Sequence, residues 1–466
     1  MPRRALLLAC LAATTSCALE PEAARPALRQ PELVPLTDLD PDPDVVEVRL
    51  VATLGEVEYL PGKPGAAWAY RDGAVEGSLP TVPGPLLEAK RGDRILVHFE
   101  NELPEASSVH FHGLRLPAAM DGARGDVLRG ESFDHAFIAR DAGTFWYHPH
   151  FHADRQIERG LYGPMVVREG AAPAPPGDRV LVLDDIKLGP DGAVDEVWSE
   201  EDIAHGRRGD VLLVNGVPDP ALRAVAGSRE RWRLINASNG RFYDLALPGR
   251  SFEVVGWDGG LLEAPYAVET LLVAPGERYD VVVDLSGSPG DALELVTRAH
   301  AHGDGGADPE APVLRVELEE GPPADAAPAE RGVIEPLPWS EGTPPRAFVL
   351  TEDLDGKYGP QFFINGEFWP FHQPIDAALG DVEVWEIDNQ ADGDHPFHLH
   401  GAFFQVLDRD GTPEPRLGWK DTVLVRRGEA LRFAVRHEEP GRWMYHCQVP
   451  EHAERGMMGE LIVAPP

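Results

Sequence analysis

Cys447, His452 and Met457 follow one another at five-residue intervals, in the stretch Tyr445-His446-Cys447-Gln448-Val449-Pro450-Glu451-His452 and its continuation to Met457-Met458. A thiolate, an imidazole and a weak thioether are the donor set of a blue-copper electron-transfer centre. Such a centre needs a second imidazole. His395, in Asp394-His395-Pro396-Phe397-His398-Leu399-His400-Gly401, is the donor that the chain offers. Neighbouring side chains on an extended strand point to opposite faces. With Cys447 turned toward one metal, His446 turns the other way, and a second metal there would be joined to the first through a few covalent bonds.

Three His-x-His pairs supply ligands for that far side: His110-Phe111-His112, His148-Pro149-His150 and His398-Leu399-His400. On a strand each pair presents both rings on one face. With His446 they make seven imidazoles, enough to bind three metals where two domains meet. One such pair is weak evidence, because paired histidines also lie on solvated strands; three pairs beside a His-Cys step are a specific pattern. A further pair, His300-Ala301-His302, runs into Gly303-Asp304-Gly305-Gly306 and reads as a solvated loop. His98, His135, His205, His372 and His437 stand alone and read as structural or surface residues.

The elements that must position these residues are strands. Val46-Glu47-Val48-Arg49-Leu50-Val51, Arg94-Ile95-Leu96-Val97-His98-Phe99 and Val382-Glu383-Val384-Trp385-Glu386-Ile387 alternate apolar and polar residues. No long window carries helical periodicity, and 45 Pro with 48 Gly suit many short strands joined by turns. The chain divides into an export signal at 1–17, a flexible Pro/Ala/Asp-rich tether at 18–44, and sandwiches at 45–170, 178–320 and 346–466, the last two joined by a Pro-rich linker at 321–345. The expected fold class is all-β, three sandwiches in series.

The 466 residues suit about three domains. The net charge of −36, from 78 acidic and 42 basic residues, excludes nucleic acid as a partner, since phosphates demand basic patches. Arg3-Arg4, the apolar run from Ala5 to Ala13 and the small residues after it read as a leader. Cys17 is a candidate lipid anchor, although Thr14 stands where a lipoprotein signal prefers Leu. Localisation is therefore expected to be exported: periplasmic, cell-envelope lipoprotein or secreted. Of the three cysteines, Cys10 and Cys17 fall in the leader, which leaves Cys447 as the mature chain's one thiol. Metal ligation is a way to protect it in an oxidising compartment.

Taken together, these motifs resemble the multicopper oxidases of the laccase type, built from three consecutive cupredoxin-like Greek-key β-sandwich domains. His110-Phe111-His112-Gly113-Leu114, Trp146-Tyr147-His148-Pro149-His150, His395-Pro396-Phe397-His398-Leu399-His400-Gly401 and His446-Cys447 through Met458 are similar to that family's four copper motifs. Pro275-Gly276-Glu277-Arg278-Tyr279-Asp280 and Trp419-Lys420-Asp421-Thr422-Val423 also resemble family segments. The resemblance implies up to four copper ions. His395, Cys447, His452 and axial Met457 would hold the type 1 copper, and His110 with His398 the type 2 copper. One type 3 copper would lie on His112 and His148, the other on His150, His400 and His446. Electrons from a small-molecule or metal-ion donor would pass through Cys447 and His446 to dioxygen. Asp121, in Met120-Asp121-Gly122, is the implied proton donor; relatives often carry another acid directly after the second type 1 histidine, where this chain has Ala453, with Glu454 one step on.

One position departs from the family. A histidine is expected directly after the cysteine, and this chain has Gln448. An amide oxygen is a poor ligand for cuprous copper. Three readings stay open: Gln448 ligates weakly or holds a water; His152 substitutes; or that copper is labile and oxygen chemistry is impaired. The functional expectation is a copper-dependent oxidase acting on phenols, aromatic amines or low-valent metal ions. The alternatives are a copper-binding electron-transfer or copper-handling protein with a crippled cluster, a copper-free structural relative, and a nitrite-reducing enzyme. Asp394 either orients His395 or lies in a solvated loop.

Overall fold

The structure is a computed structural model and describes residues 30–303 and 306–465. The leader, with Cys17, and residues 18–29 lie outside the described residues. The described chain is built almost entirely of strands, arranged as three sandwiches in sequence order.

In the first sandwich two four-stranded sheets face each other. One is ordered Lys63–Asp72, Val45–Leu60, Arg94–Asn101, Ser132–Ile138, and the other Leu87–Lys90, Gly163–Arg168, Gly143–His148, His110–His112. Period-two alternation puts Ile95, Val97 and Phe99 into the core with Leu50, Phe111, Phe145 and Met165. The second sandwich packs a seven-stranded against a five-stranded sheet around Leu183, Trp232, Leu234, Val254 and Val281. The third packs six strands against five around Trp385, Phe397, Phe404, Phe433, Tyr445 and Cys447. Burying each large apolar side chain contributes about 1.5–3 kcal/mol, so these cores hold the strands that carry the histidines in fixed register.

Two pairings matter for the site. His110–His112 lies antiparallel to Gly143–His148, with His110 opposite His148 and His112 opposite Trp146. His395–Leu399 lies antiparallel to Gly441–Cys447, with Phe397 opposite Cys447 and His398 opposite His446. Trp443, Tyr445 and Cys447 point into the third core. His446 leaves from the opposite face, as strand alternation requires.

The connecting segments are more firmly held than their composition suggests. Residues 30–44 do not form a free tether: Leu36 N–H donates to Leu86 O at 2.9 Å, Thr37 N–H to Asp72 Oδ2 at 2.9 Å, and Asn215 Nδ2 of the second sandwich to Pro31 O at 2.7 Å. The crossing at 321–345 is strapped down in the same way. Ile334 and Leu337 are buried, Gly332 N–H donates to Leu262 O at 3.0 Å, and Leu337 N–H to Gln405 Oε1 at 2.8 Å. Proline removes donors and limits strand formation, but it leaves carbonyls and side chains free to dock.

Among the described residues three short α-helices interrupt the strands: Ala153–Glu158, Glu200–His205 and Pro450–Glu454. Each is too short to show a 3.6-residue period in sequence. The last starts with Pro450 at its first position, where the missing N–H costs nothing. It folds the chain back so that His452 returns to Cys447.

Candidate metal centre

The three donors of the sulfur site are already in place. Cys447 Sγ lies 3.5 Å from His395 Nδ1 and 3.6 Å from His452 Nδ1, and the two nitrogens are 3.2 Å apart. An ion at the centre of that triangle sits about 2 Å from each atom, the bond length of a first-row metal to imidazole or thiolate. Met457 is fully buried in the same core, and its carbonyl accepts from Cys447 N–H at 3.1 Å. The Phe362 ring stacks on His452 at 4.1 Å. Burial pushes the Cys447 thiol pKa up, so a metal entering here must displace its proton.

Beside this site, His395 Nε2 faces Glu352 Oε2 at 3.9 Å. Asp394 is buried rather than solvated: its Oδ1 accepts from Arg427 N–H at 2.8 Å, and its Oδ2 lies 3.8 Å from His300 Nε2. The solvated-loop reading of His300-Ala301-His302 is likewise overturned. His300–Ala301 pairs with Ala307–Asp308 in a small hairpin, and His302 is buried with Nε2 2.8 Å from Asp308 Oδ2. Gly303, with φ of +87°, follows His302 at the end of that strand pair, and the glycine-rich composition suggested an open loop.

The seven other imidazoles gather where the first and third sandwiches meet. His446 Nε2 lies 3.0 Å from His400 Nε2 and 3.3 Å from His150 Nε2, so three lone pairs converge. His148 Nε2 lies 3.5 Å from His112 Nδ1. His110 stacks on His400 and His112 on His398, with centroids 4.0 and 3.8 Å apart. The Nε2 atoms of His110 and His398 are buried and have no hydrogen-bond partner. Orphaned acceptors are costly in a protein interior; two on rings that share a seam fit a metal ion between them.

Six of the seven rings are oriented by a bond on the other nitrogen. Nδ1–H donates from His110 to Asp121 O at 2.9 Å, from His148 to Pro149 O at 3.0 Å, from His398 to Asp421 O at 3.0 Å and from His446 to Cys447 O at 2.8 Å. His400 Nδ1–H donates to Asp121 Oδ2 at 2.9 Å. These bonds leave Nε2 as the inward lone pair. His112 is reversed: its Nε2–H donates to Asp421 Oδ1 at 3.1 Å and contacts Thr422 Oγ1 at 2.9 Å, so Nδ1 faces inward. Fixing the tautomer from behind is how proteins prepare metal-binding histidines. Burial, reinforced by neighbouring rings, lowers the pKa values of His112, His148, His150 and His446 well below the usual range and that of His400 to about 3. The rings are therefore neutral and can donate to a metal.

Asp121 is buried between two of them, its Oδ2 on His400 and its Oδ1 3.3 Å from His110 Nδ1. Burial alone would raise its pKa, but His400 and His110 outweigh it and hold the carboxyl well below its usual range. The geometry makes Asp121 an acceptor that aims two rings. Glu454 Oε1 accepts from Ala153 N–H at 3.0 Å, and Glu451 Oε1 accepts from Asn239 Nδ2 at 2.8 Å.

Two positions bear on the missing histidine. Gln448 is buried beside His112, and its N–H donates to Pro396 O at 2.7 Å. His152 points outward instead. Its side chain is 52% exposed, its Nδ1 lies 3.9 Å from Glu105 Oε1, and its ring rests on Phe151. Substitution by His152 is therefore ruled out. With φ of +43°, it turns the chain into the helix Ala153–Glu158, and this turn carries the side chain away from His150.

Sequence reasoning missed the clamp behind the cluster. Arg278, fully buried, makes a bidentate pair with Asp421 at 2.7 and 2.5 Å, and Lys420 lies 3.1 Å from both Asp258 and Glu277. The signal was present in two segments, Pro275–Asp280 and Trp419–Val423, which carry these charges but show no ligand spacing.

Matches to known proteins agree with this geometry. Family models described as multicopper oxidase match residues 74–172, 192–302 and 342–466. A protein from Staphylococcus epidermidis named multicopper oxidase mco is 30% identical over 402 residues, covering 82% of each chain. The chain belongs to the multicopper oxidase family. A Bacillus stratosphericus laccase is 28% identical, covering 86% of this chain and 91% of its own. A solved multicopper oxidase from Campylobacter jejuni, described as a metallo-oxidase, superposes with a TM-score of 0.81 at 26% identity, covering 94% and 96%. This multicopper oxidase has the three-sandwich cupredoxin architecture of its relatives, binds copper, and is an oxidoreductase using dioxygen and a reducing substrate.

Proposed function

We propose that the enzyme oxidises phenols, aromatic amines or low-valent metal ions one electron at a time at the Cys447 site and reduces dioxygen to water at the imidazole cluster. In this reading His395, Cys447 and His452, with Met457, would hold type 1 copper, and His110 with His398 would hold type 2 copper. His112 and His148 would hold one type 3 copper; His150, His400 and His446 would hold the other. Copper in these positions supplies one-electron redox chemistry on the sulfur side and the electrons that dioxygen needs on the imidazole side.

One observation carries the reading. Cys447 Sγ lies in a triangle with His395 and His452, while the adjacent His446 presents Nε2 to His400 and His150. The protein's part is to keep that route short and rigid. The His446 Nδ1–H bond to Cys447 O closes a second connection between the same two residues. Asp121 is a buried carboxylate that touches both His110 and His400, and we assign proton delivery to its side of the cluster.

On the donor side, six methionines in the whole chain leave no Met-rich insertion, which favours a broad laccase-like activity over a dedicated cuprous oxidase. The names laccase and metallo-oxidase among its relatives are compatible with organic and metal donors respectively. We also propose export, with Cys17 as the candidate lipid anchor, on the composition of residues 1–17. Copper-loaded full-length protein, assayed for oxygen uptake with a phenolic donor while copper is counted and paramagnetic resonance recorded, tests the activity. A blue protein with a magnetically coupled pair and oxygen uptake is expected; a blue protein that takes up no oxygen would instead be the electron-transfer protein.

A further inference from the structure

The two type 3 positions are unequal. On one side three Nε2 atoms, from His150, His400 and His446, converge. On the other, His112 Nδ1 and His148 Nε2 meet at 3.5 Å, and the third imidazole within 4.8 Å of both is His110, which the reading above gives to the neighbouring copper with His398. Gln448 follows two residues beyond His446, at the bend just after the strand Gly441–Cys447. Its backbone is fastened by the bond from its N–H to Pro396 O at 2.7 Å. The residue is 4% exposed, and its Oε1 is buried without a hydrogen-bond partner.

The space for Gln448 is made by Gly276. A Cβ at that position would collide with Gln448 Cγ, lie 3.1 Å from its Cδ, and lie 3.3 Å from His112 Cε1. Gln448 and His112 thus press on the same point of the second sandwich from adjoining positions. Gly276 has φ of +79°, a conformation that L side chains rarely adopt, so the opening is built into the turn. A buried amide oxygen left unpaired is costly, and this one belongs to a side chain packed beside a two-nitrogen metal position.

We propose that Gln448 Oε1 is the third protein ligand of the copper held by His112 and His148, making one half of the type 3 pair a two-nitrogen, one-oxygen site. The inference rests on the trinuclear reading given above. A neutral oxygen is a harder donor than imidazole and suits cupric better than cuprous copper. This position is therefore weaker than the three-imidazole half of the pair, and it weakens further on reduction.

The test uses copper-loaded full-length protein, dialysed against a cuprous chelator with and without a reductant, with copper counted per chain and the blue colour of the Cys447 site recorded as a check on folding. Wild type is expected to keep four coppers when oxidised and to lose one on reduction, with the blue centre intact after reoxidation. Gln448→His should keep all four in both states. Gln448→Glu, which retains an oxygen at the same reach, should hold the fourth copper in the oxidised state. Gln448→Leu, similar in size without a donor, should stop at three. A Gln448→Leu protein matching wild type in copper count and release overturns the assignment while leaving the cluster standing. Only one copper per chain in both wild type and Gln448→His overturns the trinuclear reading and this inference with it.

Discussion

Asp421 and Arg278 form a bidentate pair across the boundary between the third and second sandwiches, and the same carboxylate accepts from the ring N–H of His112, a residue of the first. Three sandwiches thus meet on one buried side chain. The middle sandwich supplies none of the twelve proposed protein ligands, yet its arginine fixes the carboxylate that sets the tautomer of His112. Removing one partner of a buried ion pair costs about 3–5 kcal/mol, and losing an orienting acceptor weakens metal affinity about 10–100-fold. Asp421→Ala is expected to show both effects, read as a lower denaturation midpoint and a lower copper count at limiting free copper. An unchanged count would show that His112 is held by other contacts.

Cys447 is the one soft donor of its site. Cys447→Ser replaces it with a poor ligand for cuprous copper and should yield a colourless protein with undetectable donor oxidation. The imidazole cluster, held by separate bonds to Asp121 and Asp421, should still bind copper. Visible absorption and copper analysis on one sample check this; a variant that keeps its blue colour would contradict the assignment.

His152 is exposed and faces Glu105. His152→Ala should therefore leave copper stoichiometry and oxygen uptake within about twofold of wild type, as for a surface substitution. Loss of one copper equivalent in this variant would reinstate His152 as a ligand.

Glu451 couples stability to pH. Burial, then the charge of Asp154, raises its pKa from 4.5 to about 8 in the folded chain. The folded state therefore holds a proton that the unfolded chain has released. This contribution is fully present below pH 4.5 and is lost as pH rises through about 8. Glu454 and Glu158, both raised to about 7 mainly by burial, act in the same direction. Thermal unfolding followed from pH 5 to pH 9 should show falling stability toward the alkaline end, and Glu451→Gln should flatten that slope. Parallel slopes would mean that Glu451 is not protonated in the fold.

The copper-binding residues were legible in sequence because ligand chemistry demands particular side chains at short spacing: Cys447, His452 and Met457 share one loop, and each His-x-His pair lies on one strand or its end. The residues behind them were not. Arg278, Asp421 and Lys420 act through contacts spanning more than a hundred residues, and no local period marks them. Glu451 stands among the ligands with no spacing that marks it; its burial against Asn239 is visible only in the fold. Composition misled at residues 30–44, where a Pro-rich segment is docked by backbone bonds to two sandwiches, and at His302, whose glycine-rich surroundings concealed a buried pair with Asp308.

The account depends on electrons leaving the Cys447 site through His446 and reaching dioxygen at the imidazole cluster. Its most direct test is the ratio of one-electron donor oxidised to dioxygen consumed, measured on the copper-loaded enzyme with an oxygen electrode and donor absorbance together. Four donor equivalents per dioxygen, with no peroxide released, is the predicted result; two equivalents with peroxide accumulating, or donor oxidation with no oxygen uptake, would contradict it.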